Sequence, residues 1–259
     1  MMRELNVEPV RAVERAIQIL NCFSFERPDQ SIEEIIRKTK LAKATVYRLL
    51  WTLERNGLIH YDPKENTYRL GYKSLEYGGI VLEHLDIHRE AAHYLQDLQE
   101  LTGHSAVLAI PQGETLQYLM RFDSDEGFQP RNFIGRRRIL HNGALGIVLL
   151  AYMEPEFVRD LLRRYPLEAF TPDTMTDHAR FIQRLEDIRK EGFFVDAGET
   201  FSGFTAIAVP VFDSKEKAIA AIGVSGSSFK MEGEARERLI HLTKETALKI
   251  SLRMGYIIK

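Results

Sequence analysis

The chain has 259 residues, a formal net charge of -2, 44% hydrophobic and 28% charged residues, and a single cysteine, Cys22. At roughly 100–200 residues per domain there is room for two domains, while one cysteine excludes an internal disulfide and a multi-cysteine metal site. No run approaches the ~20 apolar residues of a membrane span and Met1-Met2-Arg3-Glu4 opens no secretory leader, so the expectation is a cytoplasmic protein with no membrane partner, metal or cofactor.

The first predicted helix runs from Val10 to Ser24, with Val13, Ile17, Leu20 and Phe23/Phe25 as its packing face and Cys22 as a buried thiol. Ser31-Ile32-Glu33-Glu34 is a capping box that starts a second helix, with Ile32, Ile35 and Ile36 on one side. It should stop near Thr39-Lys40, leaving Leu41-Ala42 as the turn. From Lys43 to Asn56, Val46, Leu49, Leu50 and Leu53 recur at helical offsets, and Gly57 supplies the left-handed stop. The opposite face shows Ala44, Arg48, Trp51 and Arg55, flanked by Thr45, Tyr47 and Thr52. Between Arg37 and Arg55 there are six basic residues against one acidic residue, Glu54. Such a face suits the major groove of DNA: cations meet phosphates or guanine edges, hydroxyls bond phosphate, and a small residue permits close approach.

Leu58–Tyr61 and Tyr68–Leu70, separated by a polar Asp62–Thr67 turn, predict a β-hairpin directly after that helix, which makes it a wing. The candidate DNA contacts are therefore Lys43, Ala44, Thr45, Tyr47, Arg48, Thr52 and Arg55 on the helix, Lys64 at the wing tip and Arg69 on its returning strand. Trp51 is read as a packing residue against the wing or a partner rather than a base reader, with the sugar-phosphate chain as its alternative contact. Residues 1–70 hold 12 Lys/Arg against 10 Asp/Glu, and the remainder 23 against 27. A mildly basic head on an acidic body fits DNA contact confined to one end.

Residues 71–86 read as a linker helix, partly used in dimer contact. Beyond it the pattern turns to mixed α and β: a helix over Ile87–Thr102 stopped by Gly103, strands His104–Ile110 and Thr115–Phe122 joined by a Pro111–Glu114 turn, and helices Asn142–Tyr152, Glu154–Arg164 and Thr176–Glu191. Strands Phe193–Asp196, Thr205–Phe212 and Ala218–Ser225 precede a closing helix, Glu232–Met254. The expected fold class is α+β: a winged helix-turn-helix over 1–70, the linker, and an α/β sensor domain over 87–259.

The head motif, Ser31-Ile32-Glu33-Glu34-Ile35 followed by Leu41-Ala42-Lys43-Ala44-Thr45-Val46-Tyr47-Arg48-Leu49-Leu50-Trp51-Thr52-Leu53-Glu54-Arg55-Asn56-Gly57-Leu58, resembles that of the isocitrate lyase regulator (IclR) family of bacterial transcription factors. Three more segments resemble that family in the right order: His141–Gly146 with Leu150-Ala151, Arg189–Phe193 with Asp196 and Glu199, and Ala220–Gly226. The resemblance implies a GAF-like C-terminal domain that binds a small effector, commonly a carboxylate or aromatic acid, and a dimer or dimer of dimers on a palindromic operator. It also implies an effector pocket of Ala144, Leu145, Asp196, Thr205, Ala206, Gly223 and Ser225. In that pocket the first amides of the Asn142 helix would receive a carboxylate and Asp196 would accept from an effector hydroxyl. Where the family carries Lys, Cys and Ser, this chain has Ile147, Ala206 and Gly223. Those changes remove polar groups and predict a roomier pocket for a larger or more apolar ligand than a two- or three-carbon acid.

Other signals are weaker. Arg136-Arg137-Arg138 reads either as an attractor for an anionic effector or, more commonly, as a solvated turn or an interface patch. His84 and His88, with Glu83, have metal-like spacing but no third ligand. Gly223-Val224-Ser225-Gly226-Ser227 mimics a nucleophile elbow, and with His141 and Asp196 it defines the alternative reading, a hydrolase-like enzyme using the C-terminal pocket. No catalytic residue is assigned on the leading reading, a DNA-binding regulator modulated by a small organic acid. A sensor acting through protein contact alone is a third possibility.

Overall fold

The computed structural model describes residues 8–83, 86–124 and 134–258. The chain divides into two compact units, Met1–His84 and Leu85–Lys259. In the first, α1 (Arg11–Leu20), α2 (Ile32–Thr39) and α3 (Lys43–Arg55) pack around a core of Ile19, Ile32, Ile35, Val46, Leu50, Leu53 and Ile59. The capping box forms: Glu34 N–H donates to Ser31 Oγ at 3.2 Å, and Ser31 N–H donates to Glu34 Oε2 at 3.0 Å. Those bonds hold the Glu34 carboxyl below its ordinary value, the backbone bond from Ser31 acting most strongly. Lys40 closes α2 in the left-handed region at φ 56°, and Gly57 at φ 72° follows α3. The hairpin then runs β1 (Ile59–Asp62) to β2 (Thr67–Leu70).

Two features of this head depart from the sequence expectations. α1 ends at Leu20, and its buried side is Ile19 with Ala16 and Leu20, whereas Val13 and Ile17 are 56% and 50% exposed. The periodicity of Val13 and Ile17 thus marks a second apolar stripe, turned away from the head's own core. Lys38 is not an outward cation: its Nζ donates to Gln30 Oε1 at 2.7 Å and to the Cys22 carbonyl at 3.1 Å. Gln30 is fully buried and its backbone pairs with Tyr68, adding a one-residue third strand to the wing. The thiol of Cys22 is buried, and that burial raises its pKa.

α4 (Lys73–Glu83) buries none of its side chains. His84 lies outside the described residues, as do the last positions of the expected 71–86 linker apart from Asp86. The second unit is a six-stranded antiparallel sheet, β5 (Arg137–Ile139), β4 (Thr115–Phe122), β3 (Ser105–Gln112), β8 (Ala218–Ser227), β7 (Phe204–Phe212) and β6 (Phe194–Ala197) in spatial order. One face carries α6 (Ala144–Leu150), α7 (Pro155–Arg164) and α8 (His178–Glu191), with Val107, Ala109, Tyr118, Ala208 and Ala221 in the shared core. Alternate residues turn to the other face, where α5 (Asp86–Thr102) and α9 (Gly233–Arg253) lie.

Several expectations change here. Pro111 lies inside β3 opposite Leu116, so the β3–β4 turn is only Gly113-Glu114. α6 begins at Ala144, not Asn142. The Arg136–Arg138 run is not a solvated turn, since Arg137 and Arg138 belong to an edge strand paired with β4.

Candidate functional site

Two sites emerge, one in each unit. On the head, the buried stripe of α3 fixes what its other side shows: Lys43, Ala44, Tyr47, Arg48, Trp51, Thr52 and Arg55 are exposed, and Thr45 is half-buried. Several of these side chains are mutually arranged. Lys43 Nζ sits 5.8 Å from the Tyr47 ring centroid and the Arg55 guanidinium 4.9 Å from that of Trp51. Trp51 is 59% exposed, so it does not pack against its own wing. With Arg55 stacked on it, it presents a flat aromatic surface beside a cation, a pairing suited to the sugar-phosphate chain. The Thr52 hydroxyl donates to the Arg48 carbonyl at 2.8 Å, so only its oxygen lone pairs face outward.

In the wing, Lys64 is exposed at a turn that Asp62 organises by accepting from the Lys64 and Glu65 amides at 2.9 and 3.4 Å. Those backbone bonds lower the Asp62 pKa. Arg69 also leans on Asp62, at 3.9 Å. That separation is long for an ion pair, and an exposed pair of this kind contributes little, so Arg69 can exchange Asp62 for a phosphate.

The second site is a cavity between the sheet and the start of α6. Of the seven residues expected there, Ala144, Leu145, Asp196, Ala206, Gly223 and Ser225 line it. Thr205 does not: it is fully buried on the other face of β7, its hydroxyl 2.9 Å from Ser228 Oγ. The cavity also takes Tyr118, Thr200, Phe201 and Phe204, which the sequence reading did not place there, and Arg138, one of the three arginines read as an attractor for an anionic effector. Arg138 gives the site its charge. It reaches from β5 to the beginning of α6, where a Cβ added at Gly143 would lie 3.9 Å from its Nη1 and 3.7 Å from Thr200 Oγ1. The first intrahelical bonds of α6 are made by the Gly146 and Ile147 amides to the Gly143 carbonyl, so the Ala144 and Leu145 amides precede them.

Asp196 has a different part from the one expected. Its Oδ1 accepts from the amides of Glu199 at 2.8 Å and Thr200 at 3.2 Å, and its Oδ2 accepts the Thr200 hydroxyl. The carboxylate therefore holds the β6–β7 loop rather than waiting for a ligand hydroxyl. Burial raises its pKa, against the lowering effect of those hydrogen bonds. Burial likewise raises the Tyr118 pKa, opposed chiefly by Arg138.

Two of the three changes expected to make room do not. Ile147 packs in the core and not in the cavity wall. At Gly223 a Cβ would stand 2.4 Å from the Ile207 carbonyl oxygen, so the neighbouring strand fills what a side chain would have occupied. The cavity encloses about 50 Å³, room for a few water molecules at ~10–15 Å³ each.

A triad is not assembled. His141 borders a separate, smaller cavity that shares Asp196 as a wall, and its Nε2 has no hydrogen-bond partner among the described residues. Burial lowers the His141 pKa, but the Asp196 carboxylate that would orient its ring is engaged by Glu199 and Thr200. Among the described residues no group of three His, Cys, Asp or Glu could hold a metal ion, and no helix is long and apolar enough to cross a membrane.

Comparison with known proteins agrees with both halves. A model of the IclR helix-turn-helix domain matches residues 12–63, and one of the bacterial transcriptional regulator IclR C-terminal domain matches residues 79–252. The HTH-type transcriptional regulator XynR of Escherichia coli is 30% identical over 247 residues, 95% of this chain and 98% of that protein. The crystal structure of an IclR transcriptional regulator from Alicyclobacillus acidocaldarius matches with a TM-score of 0.85 at 28% identity, covering 96% of this chain and 100% of the other. An IclR homologue from Microbacterium hydrocarbonoxydans, crystallised with 4-hydroxybenzoate, shares the fold at a TM-score of 0.83 and 22% identity, over 94% and 98% of the two chains.

Proposed function

The chain belongs to the IclR family of transcriptional regulators, and on that premise we propose that α3 reads a DNA duplex while the second unit's cavity holds a small organic acid that modulates the binding. The observation that carries the effector half is Arg138. A half-buried guanidinium beside the first amides of α6 offers a carboxylate charge-assisted hydrogen bonds, in a site whose apolar walls include Leu145, Phe204 and Ala206. The Phe201 ring lies beside Arg138, which makes glyoxylate and pyruvate, acids too short to meet that ring, the first candidates alongside the aromatic ones expected from sequence.

Self-association completes the proposal. Val13 and Ile17 on α1, and Tyr72, Leu75, Tyr77 and Val81 at and on α4, are all at least half exposed. These apolar side chains favour a second copy, giving a dimer or dimer of dimers on a palindromic operator, with two recognition helices about one helical turn apart. An effector that prefers one arrangement of the copies would then shift operator affinity, as repressor or activator. A protein of this kind works on DNA in the cytoplasm and needs no catalytic residue.

The test is titration of operator DNA, selected from a random pool, with and without glyoxylate and pyruvate. Arg138→Met should retain DNA binding and lose ~1.5–3 kcal/mol of acid affinity, the range for hydrogen bonds to charged groups. Unchanged acid affinity in that variant would refute the site.

A further inference from the structure

Given the organic-acid site proposed above, we propose that Phe201 decides which acids enter it: its ring, laid against the Arg138 guanidinium, excludes aromatic carboxylates and admits two- and three-carbon ones. Phe201 lies in the β6–β7 loop and lines the cavity, with its ring centroid 5.6 Å from the guanidinium carbon of Arg138. It therefore fills the space next to the cation that a carboxylate would seek. An acid with a flat ring, once paired to Arg138, needs the volume that the Phe201 ring holds. A short acid needs only the remaining space.

The loop that carries Phe201 is fastened on both sides, so its backbone cannot swing aside without breaking several bonds. Glu199 Oε2 accepts from Arg184 Nη1 at 2.8 Å and from the Met175 amide at 3.1 Å, and the Glu199 carbonyl accepts the Thr174 hydroxyl at 2.6 Å. From within, Asp196 takes the Glu199 and Thr200 amides. Just past the ring, the Phe204 amide donates to the Phe201 carbonyl at 3.1 Å. With the main chain held, the cavity's capacity depends on the side chain at position 201. Phe201→Ala would open room for one ring, and a ligand ring entering it would restore a flat aromatic partner for Arg138.

Isothermal titration of the full chain with pyruvate, benzoate and 4-hydroxybenzoate tests this, beside Phe201→Ala and Phe201→Trp. Wild type should prefer pyruvate. Phe201→Ala should gain about tenfold or more for the aromatic acids relative to pyruvate, as expected when a ligand ring takes the place of the Phe201 ring against Arg138. Phe201→Trp should keep the wild-type order, a result that general loosening of the loop would not give. If Phe201→Ala, with an unchanged melting temperature, keeps the wild-type order of acids, the assignment of Phe201 is overturned and the acid site stands. Wild-type protein that takes up none of the three overturns the acid site and this role together.

Discussion

The two units handle their functional groups in opposite ways. In the head, the core of Ile35, Val46, Leu50 and Leu53 lies on one side of α3, and the proposed DNA contacts stand on the other, mostly exposed. In the second unit, the residues around the cavity are part of the packing: Ala144 and Tyr118 belong to the core, Gly223 is pressed against the next strand, and Asp196 is buried and fully engaged. A surface that meets a polyanion can be built from side chains in solvent, because phosphate attraction needs no buried geometry. A pocket for a small anion needs desolvated walls and fixed donors, and these come from the same strands that hold the unit together. Function and stability should therefore separate in the head and move together in the second unit.

The largest test of this separation is Leu50→Ala. Leu50 is 1% exposed in the head core, and its truncation should cost ~2–5 kcal/mol. Hydrogen exchange should show protection lost over residues 11–70, with the sheet of the second unit unchanged. Next in size is Gly223→Ala, where the new Cβ would lie 2.4 Å from the Ile207 oxygen and overpacking should cost ~1–3 kcal/mol. Melting temperature and acid binding should fall together in this variant; weakened binding at an unchanged melting temperature would break the comparison. Arg48→Ala should lower operator affinity by ~1–3 kcal/mol if Arg48 reads a base edge, with no change in melting. Equal loss on random DNA would assign Arg48 to phosphate alone. Lys64→Ala should change least on DNA, reducing the slope of log affinity against log salt by about 1.

The same contrast explains what could be read from sequence. Ser31, Glu34, Gly57 and the Val46–Leu53 spacing act through neighbours in the chain, so the head's helices and hairpin follow from local chemistry. Its misses were long-range, such as Lys38 reaching back to Gln30 and the Cys22 carbonyl. In the second unit the element types were legible from alternation and Gly stops, but the cavity was not. Arg138 was legible as one of three arginines able to attract an anion, without the edge strand that carries it to the cavity, and Phe201 comes from a hairpin loop with no periodicity. Family likeness placed Asp196 at the cavity without showing that Glu199 and Thr200 occupy its carboxylate. Thr205 fails for a simpler reason: adjacent strand residues face opposite sides, and Ala206 has the cavity side.

The smallest effect concerns Asp196 and sharpens the point that the cavity's groups are structural. Its folded-state pKa is raised because burial disfavours the carboxylate more than its three hydrogen bonds favour it. The folded protein therefore binds that proton more tightly than the unfolded chain does. Stability from this group should grow as pH falls from the raised value to the ordinary Asp value, and should be lost again as pH rises through that window. Glu34 and Asp62, whose pKa values are lowered, act in the opposite sense, and their contribution is lost on acidification. Glu90 and Glu245 in the second unit are lowered too, by Arg253 and Lys249, so the quantity to follow is the difference between wild type and an Asp196 variant in that unit's transition. Asp196→Asn removes this titration, so the melting temperature of wild type minus that of the variant should rise as pH falls through the window. If the wild-type curve instead loses stability there relative to Asp196→Asn as pH falls, the loop's hydrogen bonds outweigh burial and Asp196 behaves like the exposed carboxylates of the head.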